Sequence, residues 1–220
     1  MKRPHNSYCT IYLIRHGETE GNVAGMVNGQ SDSKLTEKGV YEAQILAERL
    51  KEIQFDAIFS SDLLRAVKTA EIIRHHRLLP IVQKKSLRER THGILDGIHS
   101  DEYTKKTEHL LETFMSLSTE DKWRFMFSEG YESDEVVVTR LMKGLHEIAV
   151  EYVGKTVLAV SHGGVLRTFL TRLGFAAYGE LKPGTLKNLG IIRIKSDGTH
   201  FILEKVEGVN KTQGIERNML

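Results

Sequence analysis

The 220-residue chain has one cysteine, three prolines and one tryptophan. With Cys9 alone, no intramolecular disulfide can form and no cysteine-based zinc site is possible, and a reducing compartment fits. Three prolines leave no Pro-rich linker. Charge of one sign is also scarce. The formal net charge is +2 and no block of five or more like charges occurs, so a nucleic-acid-binding tail is not indicated. Long hydrophobic runs are missing too. The start, Met1 to Tyr8, is polar, and the apolar run Cys9 to Ile14 is too short for a signal-peptide core or a membrane span. We expect a soluble, cytoplasmic protein with no membrane or nucleic-acid partner. Oligomeric state has no signal in the sequence. There is no low-complexity segment and no solenoid-period repeat. Neither a G-x-G-x-x-G nor a G-x-x-x-x-G-K-[ST] motif occurs, zinc-type histidine pairs are missing, and Ser161 lacks a nucleophile-elbow pattern. No metal or cofactor is implied.

What is present is ordinary globular material: 40% hydrophobic and 27% charged residues, and enough length to bury a core as one domain over residues 1–220. "CTIYLI" from Cys9 and "TVLAVS" from Thr156 are nearly continuous apolar runs, as in strands buried on both faces. "FDAIFSS" from Phe55 is a third, and "PIVQKKSL" over residues 80–87 a weaker fourth. Helical patterns lie between them. The spacing of Val40, Ala43, Ala47, Leu50 and Ile53 predicts a helix capped by Thr36. Further helices are expected over 62–79, capped by Ser61 or Asp62, over 134–152, capped by Ser133, and over 165–173 after "SHGG". Alternation of this kind predicts a three-layer α/β/α sandwich with a mainly parallel central sheet. The Asp197-Gly198 pair between two strand-like runs predicts an antiparallel edge hairpin. Residues 97–132 break the alternation and read as a small helical cap insertion.

Both buried-strand candidates end in a histidine beside glycine, "LIRHG" and "AVSHGG". Ligands of open α/β sheets bind outside the carboxyl ends of the strands. If the two strands are neighbours, His16 and His162 face one crevice, where glycines admit a ligand close to the backbone. The following helix would aim its phosphate-favouring N-terminus at the same place. Arg15 and Arg65 supply guanidinium forks suited to phosphate oxygens. Glu89, after the fourth strand, adds a carboxyl group. Each residue alone has a bland reading: a satisfied strand-end histidine, a solvated helix arginine, a surface glutamate. Their recurrence after four successive strands makes a shared site the better one. His75 and His76 read as dipole-complementing residues at a helix end. The "KWRFMF" run from Lys122 reads as packing within the cap.

"RHGETEGN" resembles the signature of the histidine phosphatase superfamily, the phosphoglycerate-mutase-like proteins. "NGQSDSKLTEKGVYEA", "IFSSDLLRAVKTAE", "LRERTHGILDG" and "AVSHGGVLR" resemble its later motifs in the same order, across nearly the whole chain. The resemblance implies His16 as a nucleophile forming a phosphohistidine. Arg15, Asn22, Arg65 and His162 would surround the phosphoryl oxygens, with Gly163 beside them. Glu89 would protonate the leaving oxygen and then take a proton from water. Such chemistry needs positioning and charge stabilisation above all. A nucleophilic histidine must be neutral, and the arginines depress its pKa below about 6.5, while bound phosphate dianion raises that of Glu89 above about 4.3.

The resemblance implies a metal-independent phosphomonoester hydrolase of the histidine acid type, acting on a small phosphorylated metabolite. A bisphosphate-primed phosphoglycerate mutase is the alternative, and a non-catalytic phosphate-binding module a further one. Three departures favour hydrolysis. Glu20-Gly21 stand where a mutase has Trp before the Asn, Gly163-Gly164 stand where it has Gly-Asn, and the insert is shorter than a mutase's. Asn28, Gln30, Arg90 and His92 are expected to read the substrate, with Arg90 or Lys122 meeting any second anionic group.

Overall fold

The computed structural model describes residues 8–210. The polar opening stretch up to residue 7 lies outside them. In chain order the elements are β1 (Cys9–Arg15), α1 (Glu20–Val23), α2 (Glu37–Arg49), β2 (Ala57–Ser60), α3 (Leu64–Arg74), β3 (Ile81–Gln83), α4 (Ser100–Ser116), α5 (Thr119–Arg124), α6 (Asp134–Glu151), β4 (Thr156–Ser161), α7 (Gly163–Arg172), β5 (Leu186–Ser196) and β6 (Phe201–Val209).

The strands form one sheet in the order β3-β2-β4-β1-β5-β6. The first four are parallel, and β5 and β6 run antiparallel to their neighbours. Alternate residues feed two cores, as a period of two requires. Ile11, Leu13, Phe59, Val157 and Ala159 pack with Leu141, Leu145, Val165 and Phe169 of α6 and α7. Ile14, Ile58, Leu158 and Val160 pack with Leu46, Ala66, Ala70 and Ile73 of α2 and α3. The α/β/α sandwich and the edge hairpin are therefore as expected. Thr36 and Ser133 do cap their helices, accepting from the N–H groups of Gly39 and Val136. Within the 97–132 segment lie α4 and α5. No helix among the described residues is long and apolar enough to cross a membrane.

Several boundaries differ. The 80–87 run forms only the three-residue β3, and residues 85–87 turn into a 3₁₀ helix. β3 is an edge strand with exposed side chains, so little burial favours extending it. Neither Ser61 nor Asp62 is the N-cap of α3. Leu63 takes that position without a side-chain bond, because the Asp62 carboxylate is engaged by Arg88 at 2.7 and 2.6 Å. α7 begins at Gly163, two residues earlier than expected.

Candidate active site

β1 and β4 are adjacent and parallel, with Arg15 opposite Ser161. That register puts His16 and His162 side by side, ring centroids 5.2 Å apart. The His16 N–H donates to Ser161 O, extending the ladder into the site. His16 Nδ1 lies 2.7 Å from Gly17 O. A carbonyl only accepts, so Nδ1 carries the proton and Nε2 keeps its lone pair. Burial first, then Arg65 and Arg15, hold the His16 pKa well below 6.5. His162 is fully buried with no partner for either ring nitrogen among the described residues, and burial and the same arginines depress its pKa as well.

Arg65 is 1% exposed. Its Nη atoms donate to the carbonyls of Ser31 and Gly29, both at 2.7 Å, while its Nε is buried without a partner among the described residues. Arg15 is arranged alike: Nη1 donates to Leu186 O at 2.5 Å and Nε has no partner. Thus each guanidinium is braced from behind by backbone oxygen and retains a free donor. Asn22 and Asn28 also line the cavity, the latter with a buried, unpartnered Nδ2.

Glu89 corrects one expectation. The N-terminus of α7 does not wait for phosphate. Gly164 N donates to Glu89 Oε2 at 2.7 Å and Val165 N to Oε1 at 2.8 Å, with Arg90 N on Oε1 at 2.8 Å. These amides and Arg65 outweigh the upward push of burial, so the carboxyl titrates below its usual 4.5 and is ionised in the free site. The two glycines serve these close approaches rather than a ligand's. A Cβ on Gly164 would stand 2.7 Å from Glu89 Oε1, and one on Gly163 would stand 2.9 Å from Arg15 Nε.

Other expectations shift. Gln30 does not line the cavity; it donates to Glu89 O and accepts from Arg88, bracing the loop that carries the carboxylate. Arg90 is not free for an anion. Its guanidinium is bound to Asp134, to Tyr131 Oη at 2.7 Å and to Thr168 Oγ1 at 3.1 Å. Lys122 lines the cavity but is tied to Met115 O and lies over the Phe114 ring. The "KWRFMF" run is more than packing: Trp123, Phe125 and Phe127 face a cavity of about 1170 Å³ together with His92, Tyr103 and Tyr131. His75 does end α3, its ring tilted by 52° against that of His76 and its Nε2 3.1 Å from Glu48.

Two residues went unseen in the sequence. Arg167 lines the cavity; its carbonyl accepts from Thr171 Oγ1, but among the described residues its guanidinium has no hydrogen-bond or ion-pair partner. A signal existed: Gly163, Gly164, Arg167, Thr168 and Thr171 all line the cavity, and their spacing marks one helix face. Asn188 also faces the cavity, donating to His16 O and Asn22 Oδ1. It had no local signal, since a distant strand delivers it.

A metal-independent phosphoserine phosphatase of Arabidopsis thaliana is 38% identical over 207 residues, 93% of this chain and 84% of that one. A probable phosphoglycerate mutase GpmB of Photorhabdus laumondii is 34% identical, over 84% of this chain and 83% of its own. A phosphoserine phosphatase of Entamoeba histolytica, solved with 3-phosphoglyceric acid, superposes with a TM-score of 0.75 at 27% identity, covering 93% of this chain and 98% of that one. The model of branch 1 of the histidine phosphatase superfamily matches residues 11–208, and the chain belongs to that family.

Proposed function

We propose that this chain is a phosphatase that hydrolyses small phosphomonoesters through a phosphohistidine on His16. The observation that carries this is the His16 ring itself: neutral, with Nδ1 held by Gly17 O and Nε2 left as a lone pair among two braced arginines. Nε2 attacks phosphorus as the ester P–O bond breaks, and Glu89 gives its proton to the leaving oxygen. Arg15, Arg65, Asn22 and His162 meet the charge spread over the phosphoryl oxygens. Glu89, now ionised, takes a proton from the water that attacks the phosphohistidine. Phosphate leaves and His16 is restored.

Glu89 is ionised before substrate arrives. The proton therefore enters with the complex, from the phosphate monoanion or onto Glu89 as the dianion raises its pKa. Either way kcat/KM falls tenfold per pH unit above roughly pH 6, where the phosphate monoanion is lost. This is the acid-type behaviour the resemblance implies, in an enzyme read as cytoplasmic. The test is an acid-labile phosphoenzyme trapped in the first turnover. Its absence from wild-type protein under turnover, or its persistence in His16→Ala, overturns the reading.

The leaving group we infer carries a second anion. Arg167 supplies the cation, and the relatives named for phosphoserine and solved with 3-phosphoglyceric acid handle phosphorylated acids. Arg167→Met should raise KM about 10- to 100-fold for a phosphorylated carboxylic acid and leave p-nitrophenyl phosphate little changed. Mutase chemistry is the second reading, favoured by the GpmB-type relatives. Isomerisation of 3-phosphoglycerate with a bisphosphate primer, faster than phosphate release, would establish it instead.

A further inference from the structure

The antiparallel edge of the sheet reaches into the phosphate site at one place, an irregularity in β5. Leu186 pairs with Val209 and Ile191 with Glu207, so five β5 steps face two β6 steps and the surplus residues bulge. Leu189 sits in the bulge at φ 59, a left-handed conformation that a leucine rarely adopts. Two glycines make the bulge possible. A Cβ on Gly190 would stand 2.7 Å from Leu186 Cδ1 and 3.1 Å from Glu207 O, and one on Gly208 would stand 3.0 Å from Gly190 Cα. Bulges re-aim side chains, and this one presents Asn188 to the cavity.

The atoms that Asn188 meets define its orientation without ambiguity. Thr19 N–H donates to the side chain of Asn22 at 3.2 Å, and a backbone N–H can only donate, so the contacted atom is Oδ1. The Asn188 atom 3.2 Å from that oxygen and 3.0 Å from His16 O must then be its Nδ2. Asn22 Oδ1 thus accepts two hydrogen bonds. Its Nδ2 makes none among the described residues, and Asn22 lines the cavity. The same bulge braces Arg15 through Leu186 O.

We propose that Asn188 is a positioning residue for phosphoryl transfer. It turns the Asn22 amide so that its NH₂ faces the phosphoryl oxygens, and it ties the backbone of the nucleophile-bearing residue to β5. The proposal rests on reading the site as a phosphate site, and deepens that reading.

The test is a double-mutant cycle on the full chain with Asn22→Ala, Asn188→Ala and the double variant. Two readouts are followed: kcat/KM on p-nitrophenyl phosphate, and the affinity for inorganic phosphate by titration calorimetry. Asn188→Ala should lower kcat/KM roughly tenfold with the fold intact. In the Asn22→Ala background the same change should cost clearly less than tenfold, because its route through Asn22 is already gone and only the tie to His16 O remains. Asn188→Asp should be worse than Asn188→Ala, since a carboxylate then faces two carbonyl oxygens and the phosphate. Additive losses in the cycle, or Asn188→Asp matching wild type, overturn the proposal. If Asn188→Ala does not fold, Asn188→Asp, whose shape is nearly unchanged, carries the test. Wild-type protein that binds phosphate without hydrolysing esters ends the phosphatase reading, while the affinity cycle still tests Asn188.

Discussion

The floor and the roof of the same cavity are built on different physics. The floor, at the carboxyl ends of the parallel strands, holds His16, Arg65, Glu89 and His162 at 4%, 1%, 8% and 0% exposure. The atoms that are held there are held by directional bonds to backbone, Arg65 to loop carbonyls, Glu89 to three amides and His16 to Gly17 O, while Arg65 Nε and both His162 ring nitrogens have no partner among the described residues. The roof consists of half-buried aromatic rings. Phe114, Phe125 and Phe127 contact one another at centroid distances of 4.9 to 5.3 Å, and Phe127 reaches Tyr131 at 5.6 Å. Aromatic packing is broadly tolerant of shape, whereas buried charge is costly unless each partner is in place. The comparison teaches that chemistry belongs to the part that cannot relax and substrate fit to the part that can.

Breaking the floor should have the largest effect. His16→Ala should lower kcat at least about 10⁴-fold, measured by phosphate release, because no other nucleophile stands in its place. Glu89→Gln comes next. It keeps the shape but removes the transferable proton, so alkyl phosphates should slow about 10²- to 10⁴-fold. Nitrophenyl phosphate, whose leaving oxygen needs no proton, should suffer much less. An equal loss on both esters would show that Glu89 acts only by structure.

Touching the roof should do less. Phe125→Ala should change KM by several-fold and move it differently for aromatic and small aliphatic esters, with kcat nearly constant. A loss of kcat as large as that of Glu89→Gln would erase the distinction between the two regions.

The smallest effect is on stability, and it too belongs to the floor. His16 and His162 titrate well below 6.5 in the folded protein, chiefly because they are buried. As pH falls through about 6.5 the unfolded chain takes up protons that the folded chain refuses. Stability should then decline by up to about 1.4 kcal/mol per pH unit for each histidine. Glu89 acts in a lower window. Its depressed pKa contributes stability above about 4.5, lost as pH falls through the folded value. Burial lowers His92 and His146 as well, so urea midpoints between pH 8 and 5 should show the first window and His162→Gln should reduce its slope without removing it.

The fold is legible in the chain where a local pattern carries the physics. Continuous β-branched runs marked β1 and β4, and Asp197-Gly198 marked the turn between β5 and β6. His16 and His162 directly follow β1 and β4, whereas Arg65 lies in the first turn of α3 and Glu89 beyond the 3₁₀ turn after β3. Arg90 and Gln30 differ from expectation for one reason: both carry suitable chemistry, but their partners, Asp134 on α6 and Arg88 with the Glu89 carbonyl, come to them only when the chain folds. Arg167 was legible in its helical spacing with Gly163 and passed unread.

The sequence by itself determined the strand ends, the histidine, arginine and glutamate types set there, and the family to which they point. Those depend on residue order and hydrophobic period, which are local. Only the tertiary structure decided which donors remain free. Arg90 is neutralised by Asp134, Glu89 occupies the N-terminus of α7, and Asn188 arrives from a bulge some 170 residues from His16 in sequence. Hydrogen-bond capacity is spent in three dimensions, so the groups left over for substrate can be counted only after folding.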